Sequence, residues 1–174
     1  MNFQVGLNRS PAFHLSELAG HPPQSASPTT IQFFPMSMKH EIETQLSVTI
    51  ENEPGQIACI SELLSKSNVH INAVSISDSI DGGHFRFIAD TPRDAKAVLV
   101  EKGFEVKVES VLTIRLNDSR GRLAGITLAL AQASINIDYV YASVDQTGSS
   151  TRLVLKVENI LLAIRILEEM EVAA

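Results

Sequence analysis

Apolar and polar positions follow two periods in a fixed order, and the order occurs twice. Leu46, Val48 and Ile50 alternate with Ser47 and Thr49, the pattern of a strand with one buried face. After Gly55, the residues Ile57, Ile60 and Leu64 recur at helical spacing. A second strand is expected from Ile71 to Ser77, a tight turn at Asp81-Gly82-Gly83, and a third strand from Phe85 to Ala89. Thr91-Pro92-Arg93-Asp94 opens another helix, with a threonine able to cap, a proline at the first helical position and an acid in the first turn. Ala95, Val98, Leu99 and Lys102 continue it and Gly103 ends it. Phe104, Val106 and Val108 then alternate as a fourth strand.

Sliding residues 45–108 forward by 66 positions matches them to 111–174 without a gap. Leu46/Leu112, Gly55/Gly121, Ala58/Ala124, Ile60/Ile126, Leu64/Leu130, Ile71/Ile137, Val74/Val140, Ser77/Ser143, Gly82/Gly148, Arg86/Arg152 and Ala97/Ala163 are identical, and other pairs keep their class. Such a period means two copies of one structural unit. In the second copy the turn falls at Thr147-Gly148-Ser149, and the last strand would be only Glu171 to Ala174, short or frayed. The expected fold class is α+β. Each copy is a ferredoxin-like βαββαβ unit with both helices on one face of an antiparallel sheet. A unit of this size has a marginal core alone, so the two copies, 45–109 and 110–174, are expected to dock side by side and pair exposed sheet edges.

Residues 1–44 differ. They hold five of the seven prolines and three of the five histidines and show no sustained apolar period. They read as a disordered tail, or as upstream sequence translated from a misassigned start with Met36 or Met38 as the true first residue. A short helix around Phe13, Leu15 and Leu18 that docks on a partner is the other reading.

Composition narrows the class. A chain of 174 residues that is 44% apolar and 20% charged can bury a real core. Neither a spanning apolar run nor a signal peptide is visible, which points to a cytoplasmic protein with no membrane partner. Fourteen Lys and Arg against 20 Asp and Glu, a formal charge of -6, oppose nucleic-acid binding. The one cysteine, Cys59, supplies no disulfide or multi-cysteine metal site and reads as a small buried apolar residue. No cofactor and no metal is expected.

The informative residues lie between the first strand and first helix of each copy. Asn52-Glu53-Pro54-Gly55-Gln56-Ile57 and Asp118-Ser119-Arg120-Gly121-Arg122-Leu123 each set an amide or carboxylate before a glycine that begins a helix. Free N–H groups and the positive end of the helix dipole suit an anion such as an α-carboxylate there. The alternative reading is that Asn52 and Asp118 merely cap their helices.

Asn-Glu-Pro-Gly-Gln-Ile at 52–57, followed by Asn68-Val69-His70-Ile71-Asn72 before the second strand, resembles the ACT domain, an amino-acid-sensing module. Ser134-Ile135-Asn136-Ile137-Asp138 is similar in the second copy. The whole resembles stand-alone tandem ACT proteins without a catalytic domain. The resemblance implies a single eight-stranded sheet, with an amino acid held at the interface between units by the first turn of one and the start of strand two of its neighbour. Asn52, Pro54, Gly55, Gln56, Ile57, His70 and Asn72 are the implied ligand residues of copy one. Asp118, Gly121, Arg122, Leu123, Asn136, Asp138 and Tyr139 are those of copy two, with no catalytic residue in either. Asp118 and Arg120 depart from the family's asparagine and proline, an aspartate favouring a ligand ammonium over a carboxylate. Tyr139 and Tyr141 share a face, and either line a specificity pocket or pack across strands.

The function expected is a non-catalytic, regulatory small-molecule sensor that binds a free amino acid between ACT units, as a homodimer. The alternative is a regulatory subunit that docks on and controls a separate amino-acid biosynthetic enzyme. Two other classes fare worse. Phe85 and Phe87 share a face as RNA-stacking aromatics do, but copy two has Thr151 and Leu153 there. His70 and His84 lack neighbours that suggest a triad or a metal pair.

Overall fold

A computed structural model describes residues 38–77, 82–117, 121–144 and 150–172. The first copy runs β1 (Lys39–Ile50), α1 (Gln56–Lys66), β2 (Ile71–Ser77), β3 (Gly83–Ala89) and α2 (Pro92–Glu101). The second runs β4 (Val106–Asn117), α3 (Arg122–Gln132), β5 (Ile137–Val144), β6 (Ser150–Val157) and α4 (Ile160–Val172). Among the described residues these strands form a six-stranded antiparallel sheet in the order β2-β3-β1-β4-β6-β5.

Six strands suffice because β1 and β4 each serve both copies. The second half of β1 pairs with β3, while its first half pairs with the second half of β4 from Lys39↔Arg115 to Glu43↔Val111. The first half of β4 is the fourth strand of copy one, as expected. The first half of β1 is the fourth strand of copy two. Two expectations are corrected by this exchange. Lys39–Thr44 is strand rather than tail, and Glu171 and Val172 belong to α4 rather than to a last strand, whose place is already filled. Ala173 and Ala174, the turns near Asp81 and Gly148, and residues 1–37 lie outside the described residues.

The ungapped repeat is also corrected in its second half. Val48 pairs with Phe85, whereas its counterpart Ile114 pairs with Leu153, so β3 and β6 correspond at an offset of 68. The β5–β6 hairpin is two residues longer than β2–β3, which slides everything after it. Burial follows this offset: Phe87 and Leu155, Ala95 and Ala163, Leu99 and Leu167 are the matched core pairs. The sequence identities Arg86/Arg152 and Ala97/Ala163 therefore do not mark equivalent places.

Two apolar cores sit between the sheet and its helices. Leu46, Val48, Ile50, Phe85 and Phe87 pack with Ile60, Leu64, Ala95 and Leu99 in copy one. In copy two Met38, Leu112, Ile114, Leu153 and Leu155 pack with Ile126, Leu130, Ala163 and Leu167. Phe85 and Phe87 are thus core residues beneath helices and offer no stacking surface. Cys59, expected inside, is exposed on α1.

The other face of the sheet closes on itself. Flat, a six-stranded sheet would hold β2 and β5 about 24 Å apart, five strand spacings. Instead their Cα atoms come within 8 Å. Ala73, Ile88, Val111 and Val154 form a third small cluster inside the curl, with Tyr141 against it.

Candidate functional site

Three backbone irregularities occur in copy one and again 66 residues later. Gly55 and Gly121 stand at the N-caps of α1 and α3 with φ of 99° and 86°, and no side chain caps either helix. Asn52 is therefore not the residue at the cap position. A Cβ added to either glycine would meet nothing within 4 Å, so each is needed for its left-handed backbone and the space beside it is open. Asn68 and Ser134 also have positive φ, 56° and 57°, as the left-handed residues that close α1 and α3: the Val69 N–H donates to Leu64 O and the Asn68 N–H to Ser65 O, as Ile135 N–H does to Leu130 O and Ser134 N–H to Ala131 O. Finally, β2 and β5 each begin with a bulge. Ile71 and Ala73 face Ala89 and Ile88, and Ile137 and Tyr139 face Val157 and Lys156, leaving Asn72 and Asp138 as the extra residues. Bulges re-aim side chains and concentrate beside functional sites.

The turns are exposed at Asn52, Pro54, Gly55 and Gly121, with Gln56 and Arg122 partly covered. Ile57 and Leu123 match each other and are 41% and 47% exposed, an unusual position for large apolar side chains in the first turn of a helix. At the strand starts His70, Asn136 and Asp138 are exposed and Asn72 is half-buried, while Val69 and Ile135 anchor each segment in its core. The Asp90 carboxylate accepts the His70 backbone N–H at 3.0 Å, and this bond, opposed by desolvation and aided by the bonds from Thr91, holds its pKa below the usual value. Asn136 Nδ2 donates to Asp138 Oδ1 at 3.2 Å. Asp118 lies outside the described residues.

One chain does not bring turn and strand start together. β2 is parallel to β1, and Ile71 pairs with Ala89 near the level of Thr44 on β1. The turn after Ile50 is thus about six residues farther on, roughly 20 Å along the strand direction. The second copy repeats this at the opposite end, since β1 and β4 are antiparallel.

Tyr139 points elsewhere, into the curl, where a polar network forms that the alternating pattern had presented as solvent-facing. Gln45 is fully buried; its Nε2 donates to the Tyr139 hydroxyl, and its Oε1 accepts from the Tyr141 hydroxyl at 2.9 Å. The Arg86 guanidinium lies 4.6 Å over the Tyr139 ring and donates to Ser77 Oγ at 2.6 Å. Arg152 pairs with Glu43, and Glu109 with Lys107 and Lys156. Burial raises the pKa of both tyrosines, and in Tyr141 the neighbouring Tyr139 adds to it. Burial alone would raise Glu109 too, but Lys107 and Lys156 outweigh it and hold its carboxyl low. The paired tyrosines were the available sequence signal for this interior; the buried glutamine gave none. Among the described residues no group of three or more His, Cys, Asp or Glu converges to hold a metal. Nor is any described helix long and apolar enough to cross a membrane.

A fold of two ferredoxin-like units in one chain, with matched glycine turns, defines the class of protein. The ACT domain pair matches residues 41–171, and the chain belongs to that family. Protein BT0572 from Bacteroides thetaiotaomicron is similar in structure, with a TM-score of 0.68 and 27% identity over 75% of this chain and 89% of that one. The regulatory subunit of aspartate kinase from Thermus thermophilus, ligand free, shares the fold at a TM-score of 0.59 and 13% identity, covering 79% and 99% of the two chains. Aspartokinase alpha and beta subunits share it at 0.56 and 16%, covering 79% and 98%. No curated protein sequence matches.

Proposed function

We propose that the protein is a non-catalytic regulatory sensor of a free amino acid, bound where the glycine turn of one chain meets the start of β2 or β5 in a second copy. The observation that carries this reading is the recurrence, at matching places, of the open glycine turns at Gly55 and Gly121 and of the bulges at Asn72 and Asp138. Bulges interrupt a ladder and re-aim side chains, and their retention in both copies fits a binding role. The uncapped helix starts suit an α-carboxylate. Polar strand starts, Asp138 among them, suit an ammonium. Because a single chain separates these elements by about 20 Å along the strand direction, the site needs a second chain. Similarity in fold to aspartate kinase regulatory domains supports the reading.

A thermal-shift screen of the twenty amino acids on the full chain tests it. Ligand at a hundred times its Kd stabilises by about 2.7 kcal/mol, which at this size raises Tm by roughly 5–10 °C. One or two amino acids are expected to do so, and Gly55→Val with Gly121→Val to abolish the shift. Flat curves throughout would refute amino-acid sensing and favour the second reading, a subunit that docks on a biosynthetic enzyme. That reading is favoured by the outward face of α3, where Leu123, Ala124, Leu128 and Ala131 are exposed with no charged side chain after Arg122, and by Leu161 on α4, 72% exposed.

A further inference from the structure

We propose that the two half-sheets are a clamp that opens about the β1–β4 seam and is latched shut by Tyr139 and Tyr141 of β5 against Gln45 and the small face of β2. Each half has its own apolar core on the helix side, closed without help from the curl. What joins the halves inside the curl is different in kind. Its apolar part is only Ala73, Ile88, Val111 and Val154 with Tyr141. The rest is hydroxyl, amide and charged groups: Gln45 bonded to Tyr139 and Tyr141, Glu109 facing Tyr139 and Lys156, and Arg86 over the Tyr139 ring. Water can replace each of those bonds when the halves part, so separation exposes little apolar surface. Neither β2 nor β5 is hydrogen-bonded to the other through the backbone, although they touch. Opening therefore breaks no ladder.

The latch is also selective. On β2 the inward positions are Ala73, Ser75 and Ser77, and their counterparts on β5 are Tyr139, Tyr141 and Ser143. A large face fits a small one. Two small faces would leave a void, and two tyrosine faces would collide. The clamp thus closes between unlike copies, which favours closure within one chain over pairing of like copies from two chains. Ser143 Oγ and Arg152 Nε are buried without a protein partner, as expected of an interior that admits water. Asn72 and Asp138 ride on the edges that part. The proposal does not depend on what binds there.

The chain offers its own probe. Tyr139 and Tyr141 are its only tyrosines and it has no tryptophan, so intrinsic emission reads the latch alone. Acrylamide quenching of that emission at neutral pH is expected to be weak in the full-length protein. Ala73→Ile, a wedge on the small face, should raise the quenching constant at least two-fold while far-UV circular dichroism and slow hydrogen exchange in β1 and β4 stay unchanged. Tyr141→Phe, which keeps the ring and removes its bond to Gln45, should raise quenching of the remaining Tyr139. Strong quenching in the unmutated chain would overturn the closed clamp. Quenching unchanged in both folded variants would overturn the latch, and loss of secondary structure in both would overturn a clamp that opens without unfolding.

Discussion

Thr44 and Ser110 face each other across the β1–β4 ladder and are also counterparts in the repeat, 66 residues apart. The molecule's internal two-fold axis therefore passes between them. The elements of the candidate site are arranged about that pair: the glycine turns at the two far ends of the shared strands, and the bulged starts of β2 and β5 level with the axis on the outer edges.

Because the first half of β1 completes copy two, that copy depends on residues before its own boundary. Met38 is 6% exposed within the core of copy two. A chain beginning at Met38 is expected to keep a single cooperative unfolding transition. One beginning at Gln45 should lose structure, and Met38→Ala should cost about 2–5 kcal/mol in urea unfolding. A stable, cooperative protein beginning at Gln45 would contradict the strand exchange.

The glycine turns make a separable prediction. With no atom near the added Cβ, Gly55→Val is opposed only by its backbone angle, so it should cost about 1–2 kcal/mol and leave the fold intact. Gly121→Val should behave alike. Circular dichroism and urea midpoints check both, and a loss well beyond this range would mean that the turns are packed after all.

Two pH limits follow from the curl. The folded pKa of Glu109 lies below its usual 4.5, so its contribution is complete above that pH and is lost as pH falls through the lower folded value. The tyrosine pKa values are raised above 10, so their contribution is complete below pH 10 and is lost as pH rises through the folded values. Melting temperature should fall on both sides, less steeply in acid for Glu109→Gln and less steeply in alkali for the double variant Tyr139→Phe with Tyr141→Phe.

Much of the fold was legible because the helix-facing positions alternate cleanly in Leu46–Ile50, Phe85–Phe87 and Leu112–Leu116. The strand Lys39–Thr44 was not, since no apolar alternation marks it. Ile42 there is 51% exposed, so the segment needs no apolar stripe. The two-residue hairpin difference was masked by the chance identity of Arg86 and Arg152, and only the ladders reveal it. At the site, the glycines were visible as residues, but the bulges at Asn72 and Asp138 are relations between strands. Gln45 looked like an ordinary solvent-side position, because a polar residue on the second face of a strand is buried only if the sheet curls.

A turn from one chain and a strand start from another are expected to make one amino-acid site. Complementation measures this directly. One variant carries Gly55→Val and Gly121→Val, the other His70→Ala, Asn72→Ala, Asn136→Ala and Asp138→Ala, and each is titrated calorimetrically with the amino acid identified by the thermal screen. Each variant alone should be silent, and an equimolar mixture, annealed to exchange subunits, should regain part of the binding. Full binding by either variant alone, or silence of a mixture shown to form mixed dimers, would contradict the account.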